Sequence, residues 1–150
     1  MAIARGAGTE IIRCQHFTDI DGSVDTKILI GEQHHIYTVL SIIIYAETLG
    51  TSTSSCNVNL VGYDSKGGTT AQTMRLFRCL PQQYETFVWN DKFSFNGFEP
   101  TDFTGTMDAV DDQNAIADQG SSVAQYLVTA CTHANDSYRV HITYIDQNNA

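Results

Sequence analysis

Carboxylates at short spacing are the side chains of this sequence that could hold a cation or act on a polar substrate. Asp19, Asp21 and the segment 108–112 place acids close together on predicted loops. Calcium prefers oxygen ligands of this kind, but the order of an EF-hand loop is absent. Two acids can also cleave a glycosidic bond when their carboxyl groups stand roughly 5 to 9.5 Å apart, a distance that the sequence does not supply. We therefore interpret these acids as solvated loop residues and expect no metal or cofactor.

The histidines do not form a recognisable catalytic or metal-binding pattern. His34 and His35 are adjacent in a predicted strand, so their side chains should point to opposite faces and cannot chelate one metal. His16, His133 and His141 are single residues that we interpret as structural. The chain contains no G-x-S-x-G, P-loop, dinucleotide-binding or H-E-x-x-H motif. The sequence therefore predicts a protein that is not an enzyme.

The four cysteines, Cys14, Cys56, Cys79 and Cys131, are far apart in sequence and form no C-x-x-C pair. Three of them lie in strand-like patterns, where a free cysteine behaves as a small core hydrophobe. A disulfide framework is the less favoured alternative, because a chain of this size can bury a core without one and no export signal is visible. We expect the cysteines to stay reduced.

Charge and hydropathy exclude several classes of partner. Seventeen Asp and Glu against eight Lys and Arg give a net charge of −9 over 150 residues, and a field of that sign repels nucleic acid and anionic lipid. No apolar run approaches the roughly 18 residues of a membrane span, and the N-terminus lacks the apolar region of a secretory signal. The sequence thus predicts a soluble protein that binds neither nucleic acid nor membrane.

The elements that must position these residues are strands. Apolar residues alternate with polar ones in short segments rich in β-branched and aromatic residues. The predicted strands are 10–17 (or an extended arm), 26–30, 34–46, 55–63, 73–80, 84–89, 92–95, 123–132 and 137–146. We expect a single all-β domain over 1–150, an antiparallel β-sandwich with a long acidic loop. Local pattern leaves open whether it is a jelly roll or an immunoglobulin-like sandwich.

Turn residues suggest how these strands connect. Asn96-Gly97 is the strongest two-residue hairpin signal, Asn90-Asp91 predicts another turn, and 64–68 predicts a hairpin between its flanking strands. Asn135-Asp136 predicts a hairpin joining the last two strands, so we interpret the sequon 135–137 as a turn. The run 42–44 of three isoleucines implies either burial on both faces or a bulge.

Two segments lack a strand pattern and are the candidate partner-binding regions. The first is an N-terminal arm, 1–8, with Ile3 and Arg5, which could order on binding or simply fray. The second is the long segment 98–122, which predicts a binding loop. Its acids form an acidic surface that either is solvated or docks on a basic partner; they include Glu99, Asp102, Asp108, Asp111 and Asp112.

The segments 86–97, TFVWNDKFSFNG, and 138–146, YRVHITYID, resemble the small β-sandwich virion structural proteins of tailed bacteriophages. The resemblance implies a non-enzymatic capsid decoration (cement) protein that binds the outer surface of the major capsid protein shell in many symmetric copies, with the major capsid protein and further copies of itself, as a homo-oligomer, for partners. It also implies assembly in the host bacterial cytoplasm and a final place on the virion. A tail or neck accessory protein and a host-surface carbohydrate-binding protein are the alternatives. The shared positions are structural and carry over no functional residue, and the longer acidic segment, 99–120, departs from the pattern and leaves the partner open.

Overall fold

The computed structural model describes residues 9–63, 71–98 and 124–148. Within these ranges the chain forms strands and turns and no helix, so none of the described residues lies in a helix that could cross a membrane. The strands are β1 (Thr9–Ile20), β2 (Thr26–Ile30), β3 (His35–Thr48), β4 (Cys56–Tyr63), β5 (Ala71–Cys79), β6 (Thr86–Trp89), β7 (Phe93–Asn96), β8 (Tyr126–Cys131) and β9 (Ser137–Asn148).

Two antiparallel sheets pack face to face around one core. The five-stranded sheet has the order β1-β9-β3-β6, with β7 also paired to β3, and the four-stranded sheet has the order β2-β8-β4-β5. The chain passes from one sheet to the other at most connections, and when β6 and β7 are counted as one broken strand this is the eight-stranded order of a jelly roll. The protein is therefore a β-sandwich, and its topology is that of a jelly roll and not of an immunoglobulin domain.

The predicted turn at Asn90-Asp91 is wrong, because the chain does not reverse there. Trp89 pairs with Ile42 of β3, and Phe93 pairs with Val39 of the same strand. β6 and β7 thus run in one direction along β3, and residues 90–92 bulge out between them.

β3 contains a bulge, but it precedes the run of three isoleucines, which alternate regularly and fit neither predicted alternative. The register against β9 shifts between Val39 and Ser41, which moves the buried positions from odd to even numbers. Ile42 and Ile44 are fully buried after the shift, whereas Ile43 is only half-buried and faces outward.

The predicted hairpin at Asn135-Asp136 is wrong, and the one at Asn96-Gly97 does not form between β7 and the next described strand. β7 ends at Asn96, and Phe98 then forms a bridge with Ala124, which precedes β8 in the other sheet. The turn at Asn135-Asp136 connects β8 to β9, and these strands also belong to different sheets. Asn135-Asp136 does mark a change of chain direction, but its turn residues carry no information about which sheet receives the next strand. The β4–β5 pairing, by contrast, confirms the hairpin predicted across 64–68.

The core lies between the inner faces of the two sheets. Tyr138, Val140, Ile142 and Tyr144 alternate along β9 and are buried, as their spacing predicts. The four-stranded sheet contributes the facing residues Ile28, Cys56, Val58 and Leu127. Aromatic rings close one side of the sandwich, where Phe77 of β5 lies 5.4 Å from Trp89 of β6 between ring centroids. Trp89, Phe93, Phe95 and Tyr144 thus serve as contacts between the sheets and within the core, as predicted.

Candidate interaction surface

The residues that the sequence predicts as partner-binding lie outside the part of the chain that the structure describes. They are Ile3, Arg5, Glu99, Asp102, Asp108, Asp111 and Asp112. The structure does describe the two residues that flank the acidic segment, Phe98 and Ala124. They form a β-bridge with each other.

A backbone junction holds these two positions together. The amide of Gly31 donates to the carbonyl of Gln125 at 2.8 Å, and the amide of Gln125 donates to the carbonyl of Gly97, also at 2.8 Å. The side-chain amide of Gln125 donates to the carbonyl of Asn96 at 3.0 Å. The described residues that flank the acidic segment, Phe98 and Ala124, are thus held together at one end of the sandwich.

The outer face of the five-stranded sheet is built by the residues that alternate with the core. Because Tyr138 through Tyr144 turn every second side chain inward, His141, Thr143 and Ile145 point outward. Residues directly opposite each other on antiparallel strands share a face, so the register extends each position into a row across the sheet. Three rows form what we call the central band: Ile12, Ile145, Thr38, Ser94; Cys14, Thr143, Ser41; and His16, His141, Ile43, Val88.

The central band contains no Asp, Glu, Lys or Arg, although the whole chain carries a net charge of −9. Two pairs of its polar side chains contact each other: Cys14 Sγ lies 3.5 Å from Thr143 Oγ1, and Thr38 Oγ1 lies 2.8 Å from Ser94 Oγ. Ile12 is 68% exposed on the strand at one side of the band. A flat face of aliphatic and internally bonded polar groups loses little hydration when another protein covers it, which is a property of docking surfaces.

One rim of the central band is marked by an ion pair. The Nε and Nη2 atoms of Arg139 donate to the two carboxylate oxygens of Glu47 at 3.2 and 2.8 Å. These bonds hold the pKa of the Glu47 carboxyl below its ordinary value. Arg139 and Glu47 are exposed and bind each other. They mark the edge at which the uncharged surface of the central band ends.

β1 lies at the side of the five-stranded sheet and pairs only with β9 among the described strands. Its 12 residues contain no proline, and its register is irregular only between Phe17 and Ile20. The opposite side of the sheet is formed by β6 and β7, two strands of 4 residues with a bulge between them. Short and bulged edges resist pairing with other chains, whereas a long regular edge invites it. β1 is therefore suited to accept a strand from a partner.

A polar pocket of about 370 Å³ opens between β1 and β2. The buried Asp146 lies at its base and accepts from Arg13 Nε at 2.9 Å and contacts His35 Nδ1 at 2.5 Å. The other ring nitrogen of His35 lies 3.5 Å from Glu32 Oε2. Asp146 therefore has both oxygens engaged and acts as a structural anchor between β1, β9 and β3.

The two tyrosines that line this pocket, Tyr37 and Tyr144, are buried. Tyr37 accepts a hydrogen bond from the amide of Glu32 at 3.0 Å, and burial raises the pKa of Tyr37 and of Tyr144. Their rings are almost fully covered and offer no exposed stacking platform. Arg13 and Gln15 remain exposed at the opening and could hydrogen-bond a polar ligand.

The structure also describes the adjacent histidines His34 and His35 and one of the short-spaced acids, Asp21. Only His35 lies in β3, because His34 precedes the strand with a φ of 66°; the prediction that both belong to one strand is wrong. Asp21 accepts from the amide of Ser23 at 2.8 Å and from its hydroxyl, and these bonds lower the pKa of Asp21. Within the described ranges no group of three or more His, Cys, Asp and Glu side chains could hold a metal ion.

Comparison with known proteins gives little beyond the fold. No protein-family model matches the chain, and no curated protein sequence matches it. A solved structure described as "Bacillus endospore appendages form a novel family of disulfide-linked pili" is similar over 100% of this chain and 97% of the other, at 11% sequence identity and a TM-score of 0.46. A likeness at this level says nothing about what the present chain binds.

Proposed function

We propose that this chain is a non-enzymatic structural protein of a bacteriophage virion, a capsid decoration protein that adheres to the outer surface of the major capsid protein shell. The central band carries the proposal, because it is an uncharged face on a strongly acidic protein and lies beside the long regular edge of β1. The segments that resemble virion proteins support it, since 86–97 and 138–146 supply Val88, Ser94, His141, Thr143 and Ile145 to that band.

The mechanism is adhesion. A specific contact needs roughly 800 Å² of surface from each partner, which a sheet face of this kind can supply together with one edge. A capsid strand added to β1 would provide backbone hydrogen bonds, and side chains on both faces of β1 would provide specificity. Repetition over the capsid lattice adds avidity.

Co-sedimentation with capsids that lack this protein tests the proposal. The wild-type chain should bind saturably at a fixed ratio to capsid subunits. Ile12→Lys should weaken binding at least tenfold, because it places a charge in the band beside the edge of β1. Met74→Lys is the matched control: Met74 is 54% exposed on β5 of the other sheet, and its substitution should leave binding unchanged.

The outcome also separates the other candidates. Equal loss in both variants would point to a nonspecific apolar contact and overturn the role of the band. Absence of binding to capsids, with binding to tails or necks, would make the chain an accessory protein of those parts. Deleting 1–8 in the same assay shows whether the N-terminal arm, with Ile3 and Arg5, contributes.

A host-surface carbohydrate-binding protein is the second candidate, and the polar pocket between β1 and β2 is the observation that favours it. Amide, guanidinium and carboxylate groups at its opening suit sugar hydroxyls, although its tyrosine rings are covered. A glycan array separates the two functions: binding that Gln15→Ala abolishes and Ile12→Lys leaves intact would favour the sugar-binding role.

A further inference from the structure

Three of the four cysteines lie in one row across the four-stranded sheet. Cys56 of β4 is paired on one side with Cys79 of β5 and on the other with Cys131 of β8. Directly opposite residues on antiparallel strands point to the same face, so all three thiols project toward the core. Cys56 and Cys79 are buried and Cys131 is half-buried, whereas Cys14 is exposed on the other sheet.

Cys56 is placed to bridge to a neighbour. Opposite Cα atoms on antiparallel strands are about 4.5 to 5.5 Å apart, within the range of about 4.4 to 6.8 Å that a disulfide spans. Cys79 and Cys131 lie two strands apart, at roughly twice the 4.7 to 4.9 Å strand spacing, and cannot bridge each other. The row can therefore form one disulfide, always through Cys56, and leaves one thiol.

The side-chain contacts favour Cys131 as the partner. The neighbouring Cys131 thiol, followed by burial, raises the pKa of Cys56. The thiol of Cys79 instead donates to the backbone carbonyl of Cys56 at 3.4 Å. The Cys79 thiol is therefore buried and directed to the backbone, whereas Cys131 is half-buried and more accessible to a small disulfide.

Tyr138 provides a second, independent observation at this place. It faces the row from β9 and is fully buried, and within the described part of the chain its hydroxyl has no hydrogen-bond partner. Burial, followed by the influence of Asp136 and the three thiols, raises the pKa of Tyr138. A buried O–H without an acceptor can donate to a sulfur anion, so it is placed to stabilise a thiolate formed in the row.

We propose that Cys56 and Cys131 are the site of an intrachain disulfide formed by exchange with a small disulfide such as oxidised glutathione. The thiolate of the more accessible Cys131 attacks one glutathione sulfur, and the first glutathione thiol leaves. Cys56, which is protonated in the folded chain, then gives up its proton as its sulfur attacks the Cys131 sulfur of this mixed disulfide, and the second glutathione leaves as a thiol. The two cysteine protons end on the two released thiols, so two cysteines are oxidised and one glutathione disulfide is reduced.

The disulfide would tie β4 to β8 in the middle of the four-stranded sheet. The closed loop contains β5, β6, β7 and the segment 99–123, so the crosslink would restrict the unfolded chain strongly. A protein assembled in a reducing cytoplasm would keep the thiols and gain the crosslink after release into an oxidising medium. This biological role rests on the proposed function, whereas the disulfide itself does not.

The experiment uses the isolated full-length chain, so its result is independent of capsid binding. Reduced protein is incubated with oxidised glutathione at mildly alkaline pH, its free thiols are alkylated after denaturation, and its peptides are mapped by mass spectrometry. We expect the peptides of Cys56 and Cys131 to be joined, with Cys14 and Cys79 alkylated. The Tm of the oxidised protein should exceed that of the reduced protein by roughly 5 to 10 °C.

Matched serine variants make the assignment specific. Cys131→Ser should lose the crosslink and the rise in Tm, while Cys79→Ser and Cys14→Ser should keep both. Four alkylatable thiols after prolonged exposure, a crosslink between Cys56 and Cys79, or only intermolecular products through Cys14 would each overturn the proposal. If Cys131→Ser does not fold, the peptide map of the wild-type chain still decides the pairing.

Discussion

Gly31 packs so closely against the carbonyl group of Gly97 that a Cβ atom on Gly31 would overlap its oxygen and carbon. The contact joins the end of β2 to the point where the chain leaves β7, and backbone atoms on both sides leave no flexible group to give way. We predict that Gly31→Ala lowers the free energy of unfolding by about 2 to 3 kcal/mol, measured by urea denaturation.

Gly50→Ala is the control for this substitution. A Cβ atom on Gly50 would lie 3.3 Å from its nearest neighbours, all of them side-chain atoms of Asn135, Asp136 and His133, so small adjustments can accommodate it. Its effect should be below about 1 kcal/mol. Equal losses in the two variants would show that the close approach of Gly31 and Gly97 is not what limits substitution.

Asp146 joins three elements through its contacts with Arg13 and His35, and its substitution should be costly. Asp146→Asn removes the charge that both Arg13 of β1 and His35 of β3 contact. We predict a loss of about 2 kcal/mol in the free energy of unfolding, measured by urea denaturation at neutral pH. Glu47→Gln removes an exposed carboxylate from another arginine pair and serves as the control, with a much smaller loss. A loss in Asp146→Asn no larger than that of the control would contradict the anchoring role.

The buried thiols predict loss of stability at alkaline pH. Burial raises the pKa of Cys79 from 9.0 to about 11. Between these values Cys79 ionises in the unfolded chain but stays protonated in the folded one, so the unfolded state binds fewer protons and stability falls as pH rises. Stability is therefore full below about pH 9 and falls by about 2 kcal/mol for Cys79 alone as pH passes through about 11.

Thermal denaturation of the reduced protein between pH 8 and 11 tests this prediction. Cys79→Ala should fall less steeply than the wild type, because the alanine does not titrate. Cys14→Ala removes an exposed thiol and should leave the slope unchanged. A wild-type Tm that stays constant across this pH range would contradict the prediction.

The local sequence predicts the strands well because burial follows the alternation of side chains. The bounds of β2 agree at both ends, and the four residues Tyr138, Val140, Ile142 and Tyr144 are buried as their spacing predicts. Bulges are harder to predict, since the shift between Val39 and Ser41 depends on the register with β9.

The connections and the cysteine row show where the local sequence is insufficient. Asn96-Gly97 and Asn135-Asp136 have the composition of tight hairpins, yet both are followed by strands of the opposite sheet. The choice of sheet is decided by how all the strands bury their apolar faces together. For the same reason, nothing in the spacing of Cys56, Cys79 and Cys131 indicates that they share a row. Likewise, the central band emerges only from the register of β1, β9, β3 and β6.

Removal of the Tyr138 hydroxyl should not lower the free energy of unfolding. This hydroxyl is buried without a hydrogen-bond partner in the described part of the molecule, and a buried polar group in that state costs free energy. Tyr138→Phe removes the oxygen and keeps the ring in the core. We therefore expect the free energy of unfolding of the reduced protein to stay constant or rise by up to about 1 kcal/mol, measured by urea denaturation.

Tyr37→Phe is the matched control, because the Tyr37 oxygen accepts a hydrogen bond from the amide of Glu32 at 3.0 Å. Its removal leaves that amide without its acceptor, so this variant should lose about 1 kcal/mol. The opposite signs of two chemically identical substitutions separate a free hydroxyl from a bonded one. A clear loss in Tyr138→Phe would mean that its hydroxyl is bonded in solution, and the tyrosine could then no longer serve as a free donor to the thiol row. If it is free, the same variant should also slow formation of the crosslink between Cys56 and Cys131, because the thiolate would lose its donor.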